Sequence, residues 1–298
     1  MSGFEDLAGQ LVGPLTGLLG RLPLPGMEFE HNRTALLAAL LVAPMCAALG
    51  VEVVTFRMAF FSDAVAHSAY TGVALGVLAF GAGAALGVTL AMVAVGVAVG
   101  LAVAALREHT RQTPDTLIAI VLYGAVALGL IIVALSSDKG LSATMAPYLF
   151  GAGLGMTAAD LLVLGALAAL VGVFQLVGYN RLMLMGLNPV LARTRGISTR
   201  AWGHAFAAAL ALVVTGSIRT VGVLVVGALL IVPAAAARNL ARSASGMFWW
   251  AVILATASAV AGAELSILLK NPPVGASVIL CATALYGLSE LYRALRRG

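Results

Sequence analysis

Charge is what this 298-residue chain lacks most: 10% of its residues are Asp, Glu, Lys or Arg. An ordinary soluble domain carries about 25%. With 61% hydrophobic residues and a mean hydropathy of +1.05, there is too little polar surface to cover a globule in water. The solvent that fits is lipid. Lysine is nearly absent: Lys139 precedes Gly140 and Lys270 precedes Asn271. A phosphate-binding P-loop needs Lys followed by Ser or Thr after a glycine-rich run, so this chain has no P-loop of its own. Cysteine is limited to Cys46 and Cys281, far apart inside apolar stretches. They read as small apolar residues, neither a disulfide framework nor a metal pair. The His-Glu-x-x-His pattern of zinc proteases is missing, as is a convincing Ser/His pairing for an intramembrane protease. The net charge of +5 comes without a basic run, so it does not indicate nucleic acid. The start of the chain carries Glu5 and Asp6 where a secretory signal would be basic.

What remains is apolar and small. Nine hydrophobic segments stand out, at about 34–55, 60–80, 82–106, 115–136, 158–178, 201–218, 220–240, 247–269 and 274–292. A bilayer is crossed by roughly 20 apolar residues in a helix, so the expected fold is all-α and polytopic, with nine transmembrane helices. Abundant Gly and Ala let helix backbones approach closely where no hydrophobic effect drives them together. With the N-terminus outside, twelve Lys or Arg residues fall on inner joints and five on outer ones. The positive-inside rule therefore places the N-terminus outside and the C-terminus in the cytoplasm. Residues 1–31 read as an extension. Leu7, Leu11, Leu15, Leu18 and Leu22 recur at helical spacing, which fits an interfacial amphipathic helix limited by Pro14, Pro23 and Pro25, or a loosely ordered tail. Residues 32–298 form the membrane domain. Pro147 and the glycines at 151, 153 and 155 suggest a re-entrant or extracellular turn before the fifth segment.

The longest polar joint runs from about Asn180 to Arg200. Asn188 is a good helix cap, Pro189 suits a first helical position, and Gly196 can end the turn. A short helix parallel to the membrane is expected there, or else a plain connecting loop.

Ionisable residues inside spans need a reason. Asp63 and His67 are four apart in Ser-Asp-Ala-Val-Ala-His-Ser, so a helix projects both from one face. A carboxylate with an imidazole suits manganese, iron or zinc, and suits calcium or magnesium poorly. An internally bonded pair that only joins helices is the plainer alternative. Asp115 and Asp160 lie at helix starts and read as capping acids. Glu52 and Glu264 lie in mid-span and should face a cavity or a partner. His109 and His204 sit near helix ends and read as structural.

Several of these landmarks together resemble the zinc/manganese (ABC-3 type) permease family. Arg57-Met58-Ala59-Phe60-Phe61-Ser62-Asp63 followed by His67 is similar to its second-helix signature. Thr-Pro-Asp-Thr-Leu-Ile at 113–118, Pro147-Tyr148-Leu149-Phe150-Gly151, the stretch from Val221 to Ala235, and Pro273-Val274-Gly275-Ala276 resemble its later landmarks, in family order. The resemblance implies a permease of an ATP-driven importer of zinc, manganese or iron, not itself an enzyme, with no permanently bound cofactor. It implies a homodimer, two cytoplasmic ATP-binding subunits and an extracellular metal-binding protein. It makes Asp63 and His67 the expected metal contacts. Asn188, Pro189, Ala192 and Gly196 become the expected coupling helix. The chain departs from the pattern at Asn188 and Val190, where acidic residues are usual, at Glu52, where apolar residues are usual, and at Lys270 and Asn271. A permease for a metal chelate (siderophore, haem or cobalamin) is one rival. A proton-coupled secondary transporter using Asp63, Glu52 and Glu264 is another.

Overall fold

The computed structural model describes residues 2–20, 28–81, 83–110, 112–135, 156–269 and 273–296. Among these residues the structure is helical throughout. The helices are α1 (Ser2–Leu19), α2 (Glu30–Thr55), α3 (Phe61–Phe80), α4 (Ala85–His109), α5 (Pro114–Leu135), α6 (Ala158–Leu187), α7 (Pro189–Thr194), α8 (Thr199–Val221), α9 (Val223–Leu240), α10 (Ala244–Leu268) and α11 (Val274–Leu295). Nine of them, all but α1 and α7, are long and apolar enough to cross a membrane. The expected turn at Pro147–Gly151 and its glycine run lie outside the described residues, as do Lys270 and Asn271.

Two expectations change. The fifth apolar segment was expected to end near residue 178, but α6 continues to Leu187. Its extra turns are held by packing: Leu182 and Met183 are buried, and the Arg181 guanidinium lies 4.9 Å from the centre of the Trp202 ring. The Arg181 side chain stays exposed, so the helix can run on past the apolar stretch with its charge in contact with the indole face. Pro14 does not shorten α1, which runs through it to Leu19. The Thr16 hydroxyl bonds the carbonyls of Val12 and Gly13 beside that proline, at 3.3 and 3.0 Å.

The chain folds into two compact units. One comprises Met1–Val51, Ala152–Val173 and Thr220–Gly298; the other comprises Glu52–Gly151 and Phe174–Arg219. In the first, α9, α10 and α11 pack on one another. Gly262 lets α10 lie directly on the α11 backbone: a Cβ there would stand 2.5 Å from the Val278 nitrogen. Leu36 and Ala263 form a small apolar centre contacted by Leu19, Leu40, Val260 and Ile267. Across α9 and α11, the Asn239 amide donates to Ser289 Oγ at 3.0 Å and to Glu290 Oε1 at 2.9 Å. The start of α6 is a capping box. Asp160 accepts from the Thr157 N–H at 2.9 Å, and Thr157 Oγ1 accepts from the Asp160 N–H at 3.3 Å.

The second unit is built on glycines four residues apart. Gly72 and Gly76 on α3 face the α4 backbone, where Cβ atoms would lie 2.6 Å from Met92 Cα and 2.8 Å from Val88 Cα. Gly96 and Gly100, further along α4, receive the side chains of Thr215 and Ala211 of α8. Such small-xxx-small faces supply close dispersion contact, the main attraction between helices when the surrounding lipid is as apolar as they are. The α3–α5 contact is fixed by the Thr71 hydroxyl, which donates to the Ala125 carbonyl at 2.7 Å, across a helix that carries Gly129 at the contact. Phe56 meets Phe206 edge-on at 5.3 Å.

Candidate metal pathway and coupling segment

Asp63 and His67 occupy the first two turns of α3. That helix is buried on all sides but one. Its residues short of full burial are Asp63, His67, Tyr70 and Leu75, with 78–80 at its end. These recur at helical spacing and so form one stripe along the helix. The sequence places the carboxylate and imidazole on that stripe because both are polar and every other face of α3 holds packed Ala, Val, Ser and Gly. Asp63 is half-buried, His67 is exposed, and the two interact electrostatically. Among the described residues no group of three or more His, Cys, Asp or Glu is gathered closely enough to hold a metal ion. The described residues thus offer Asp63 and His67 as donors at this place.

The polar joint after α6 folds as its caps dictate. The Asn188 side chain accepts from the Leu191 N–H at 3.0 Å, Pro189 takes the first position of α7, and Ala192 is fully buried beneath the short helix. Gly196 takes φ +75°, a left-handed conformation that a Cβ would strain. Arg193, Val190 and Leu191 point outward. Beside α7 is a cavity of about 460 Å³ whose walls include Met58, Arg107, Glu108, Pro189, Arg193 and His204. Glu108 pairs with Arg200 at 3.0 Å and lies 3.6 Å from His204 Nδ1, which also meets the Arg200 carbonyl at 2.9 Å. His204 is thereby tied to its own helix and to α4. It is not brought to Asp63 and His67.

The two acids expected in mid-span both stand near the ends of their helices: Glu264 is partly exposed close to the end of α10, whereas Glu52, in the last turn of α2, is completely buried and bonded to Gln175. The importance of Gln175 escaped the sequence reading. It carries no charge and lies 123 positions away, and only its place on an apolar helix marks it. Cys46 and Cys281 are free.

Nine helices long and apolar enough to cross a membrane, with a capped helical turn between two of them, define a polytopic membrane protein among the described residues. The chain belongs to the ABC 3 transport family, whose pattern matches residues 28–293. It is 31% identical over 265 residues to the high-affinity zinc uptake system membrane protein ZnuB of Haemophilus influenzae, covering 89% of this chain and 98% of that one. It is 29% identical over 266 residues to the manganese transport system membrane protein MntC of Halalkalibacterium halodurans, covering 89% and 88%. A second Haemophilus influenzae protein, named for iron transport, is 30% identical over 278 residues, covering 92% and 97%. Among solved structures, PsaBC from Streptococcus pneumoniae in complex with Fab shares the fold, with TM-score 0.73, 22% identity and coverage of 88% and 91%.

Proposed function

We propose that this chain is the membrane-spanning permease subunit of an ABC importer for zinc, manganese or iron, and that Asp63 and His67 are the side chains the ion meets in transit. The observation that carries the site is the α3 stripe. It holds a carboxylate and an imidazole one turn apart on the face of α3 that is least covered among the described residues. A tetrahedral ion needs about four donors, and one chain supplies two. Two copies with these stripes facing would supply two carboxylates and two imidazoles. The homodimer reading rests on that count. Such a set suits a borderline transition ion. It would be transient, since a conducting site must release what it binds.

With the N-terminus outside, as the arginine distribution favours, α7 faces the cytoplasm. There Asn188, Pro189, Ala192 and Gly196 shape the coupling helix that docks on a separate ATP-binding subunit. That subunit supplies the hydrolysis for which this chain has no P-loop. An extracellular metal-binding protein delivers the ion. ATP binding and hydrolysis favour one conformation of the permease over the other through their differing contacts in the two states.

Replacing Asp63 or His67 by Ala is expected to abolish uptake of the metal while the protein remains folded in the membrane. Uptake at the unmodified rate in both variants would remove the proposed site and leave a pathway without these contacts, as a chelate permease would have.

A further inference from the structure

Glu52 lies in α2 and is fully buried; Gln175 lies in α6 and is 5% exposed. Gln175 Nε2 donates to Glu52 Oε2 at 3.1 Å. The other oxygen of each side chain, Glu52 Oε1 and Gln175 Oε1, is buried with no hydrogen-bond partner among the described residues. Both are acceptors when the carboxyl is ionised, so neither can serve the other. Each orphan of this kind is destabilising, since it has given up its water without a protein partner in exchange. An ionised carboxylate buried this completely costs more unless a cation meets it. Glu52 is in no ion pair among the described residues, and the titratable neighbour within electrostatic range is Tyr179, which is not cationic at neutral pH.

One proton removes every conflict. On Glu52 Oε1 it makes a hydroxyl donor, and the orphaned Gln175 Oε1 is the acceptor on the other half of the amide. A carboxylic acid and a carboxamide then close a ring of two hydrogen bonds: Nε2–H to Oε2, already present, and Oε1–H to Oε1. We infer that Glu52 and Gln175 form a proton-holding site, in which Glu52 is a neutral carboxylic acid and the ring joins α2 to α6. The ligand of this site is a proton held in place. It is neither a metal nor a carrier proton, and the inference does not depend on the metal reading of Asp63 and His67. It bears on the proton-coupled alternative, because a proton locked in a ring is not free to relay.

The test is infrared spectroscopy of the purified chain in lipid nanodiscs at neutral pH, comparing the unmodified protein with Glu52→Gln and Gln175→Leu. The difference spectrum against Glu52→Gln is expected to show loss of a protonated carboxylic acid carbonyl stretch, with the carboxylate stretches unchanged. Gln175→Leu should move that acid band to higher frequency, as expected for a carbonyl that has lost its donor. Glu52→Gln should fold, since two amides close the same ring with the same two bonds. Loss of carboxylate stretches in place of the acid band, as for an ionised Glu52 bridged by water, would overturn the inference. So would an acid band indifferent to Gln175→Leu, or a Glu52→Gln chain that fails to fold.

Discussion

Gly72→Ala is the substitution for which the structure gives the clearest magnitude. Alanine would put a Cβ 2.6 Å from Met92 Cα and 3.0 Å from the Ala91 carbonyl oxygen, both backbone atoms that no rotamer change can move. Ordinary contact begins near 3.4 Å, so α3 and α4 must part by roughly 1 Å along the whole contact. A radial gap of about 0.5–1 Å already forfeits a quarter to a half of each dispersion well. Overpacking of this kind costs about 1–3 kcal/mol. Against it stands the helical advantage of Ala over Gly, about 1 kcal/mol. Gly124→Ala on α5 isolates the two effects, because a Cβ at Gly124 meets nothing within 4 Å. The propensity gain is common to both variants and cancels in the comparison. Equilibrium unfolding in one lipid environment should therefore place Gly72→Ala about 1–3 kcal/mol below Gly124→Ala. Equal stabilities would mean that the close α3–α4 approach does not exist, and the glycine-based account of this unit would fall.

Two further outcomes follow from local geometry. Asn188→Ala removes the side-chain cap of α7, worth about 1 kcal/mol, from a helix too short to absorb the loss; ATPase-coupled uptake should drop, and Asn188→Ser or Asn188→Asp should restore it, whereas equal uptake in all three would deny α7 a coupling role. Glu108→Gln breaks the pair with a 72% exposed Arg200, and such pairs are worth about 1 kcal/mol at most. Its unfolding free energy should accordingly stay within that margin, and a larger fall would show that Glu108, Arg200 and His204 act as one cooperative element.

The nine spans among the described residues were legible because hydropathy over about 20 residues reports the solvent directly, and little in the packing can overrule it. The cap signals of α7 were equally local: Asn188, Pro189 and Gly196 act on their own backbone, so their spacing alone foretold the turn. Asp63 and His67 could be paired by their four-residue step, although that step does not say which face of α3 stays uncovered. That depends on Gly72 and Gly76 drawing the opposite face onto α4. The glycine spacing was present in the sequence, but its partners, Met92 and Val88, are set by tertiary contact. The continuation of α6 past residue 178 accompanies tertiary contacts that the local sequence does not reveal, the burial of Leu182 and Met183 and the stacking of Arg181 on Trp202 among them. Glu52 could be recognised as a buried acid in want of a reason. The reason, Gln175, is an uncharged residue on another helix and has no sequence signature.

The measurement that bears most directly on the account is uptake of radiolabelled metal in importer-deficient cells carrying this chain with its ATP-binding subunit and binding protein, with zinc, manganese and iron in competition. The account predicts accumulation of one of these ions that requires the ATP-binding subunit and vanishes in Asp63→Ala and His67→Ala. Accumulation that proceeds without the ATP-binding subunit and collapses with an uncoupler, or no uptake of any free ion by a fully assembled complex, would contradict it.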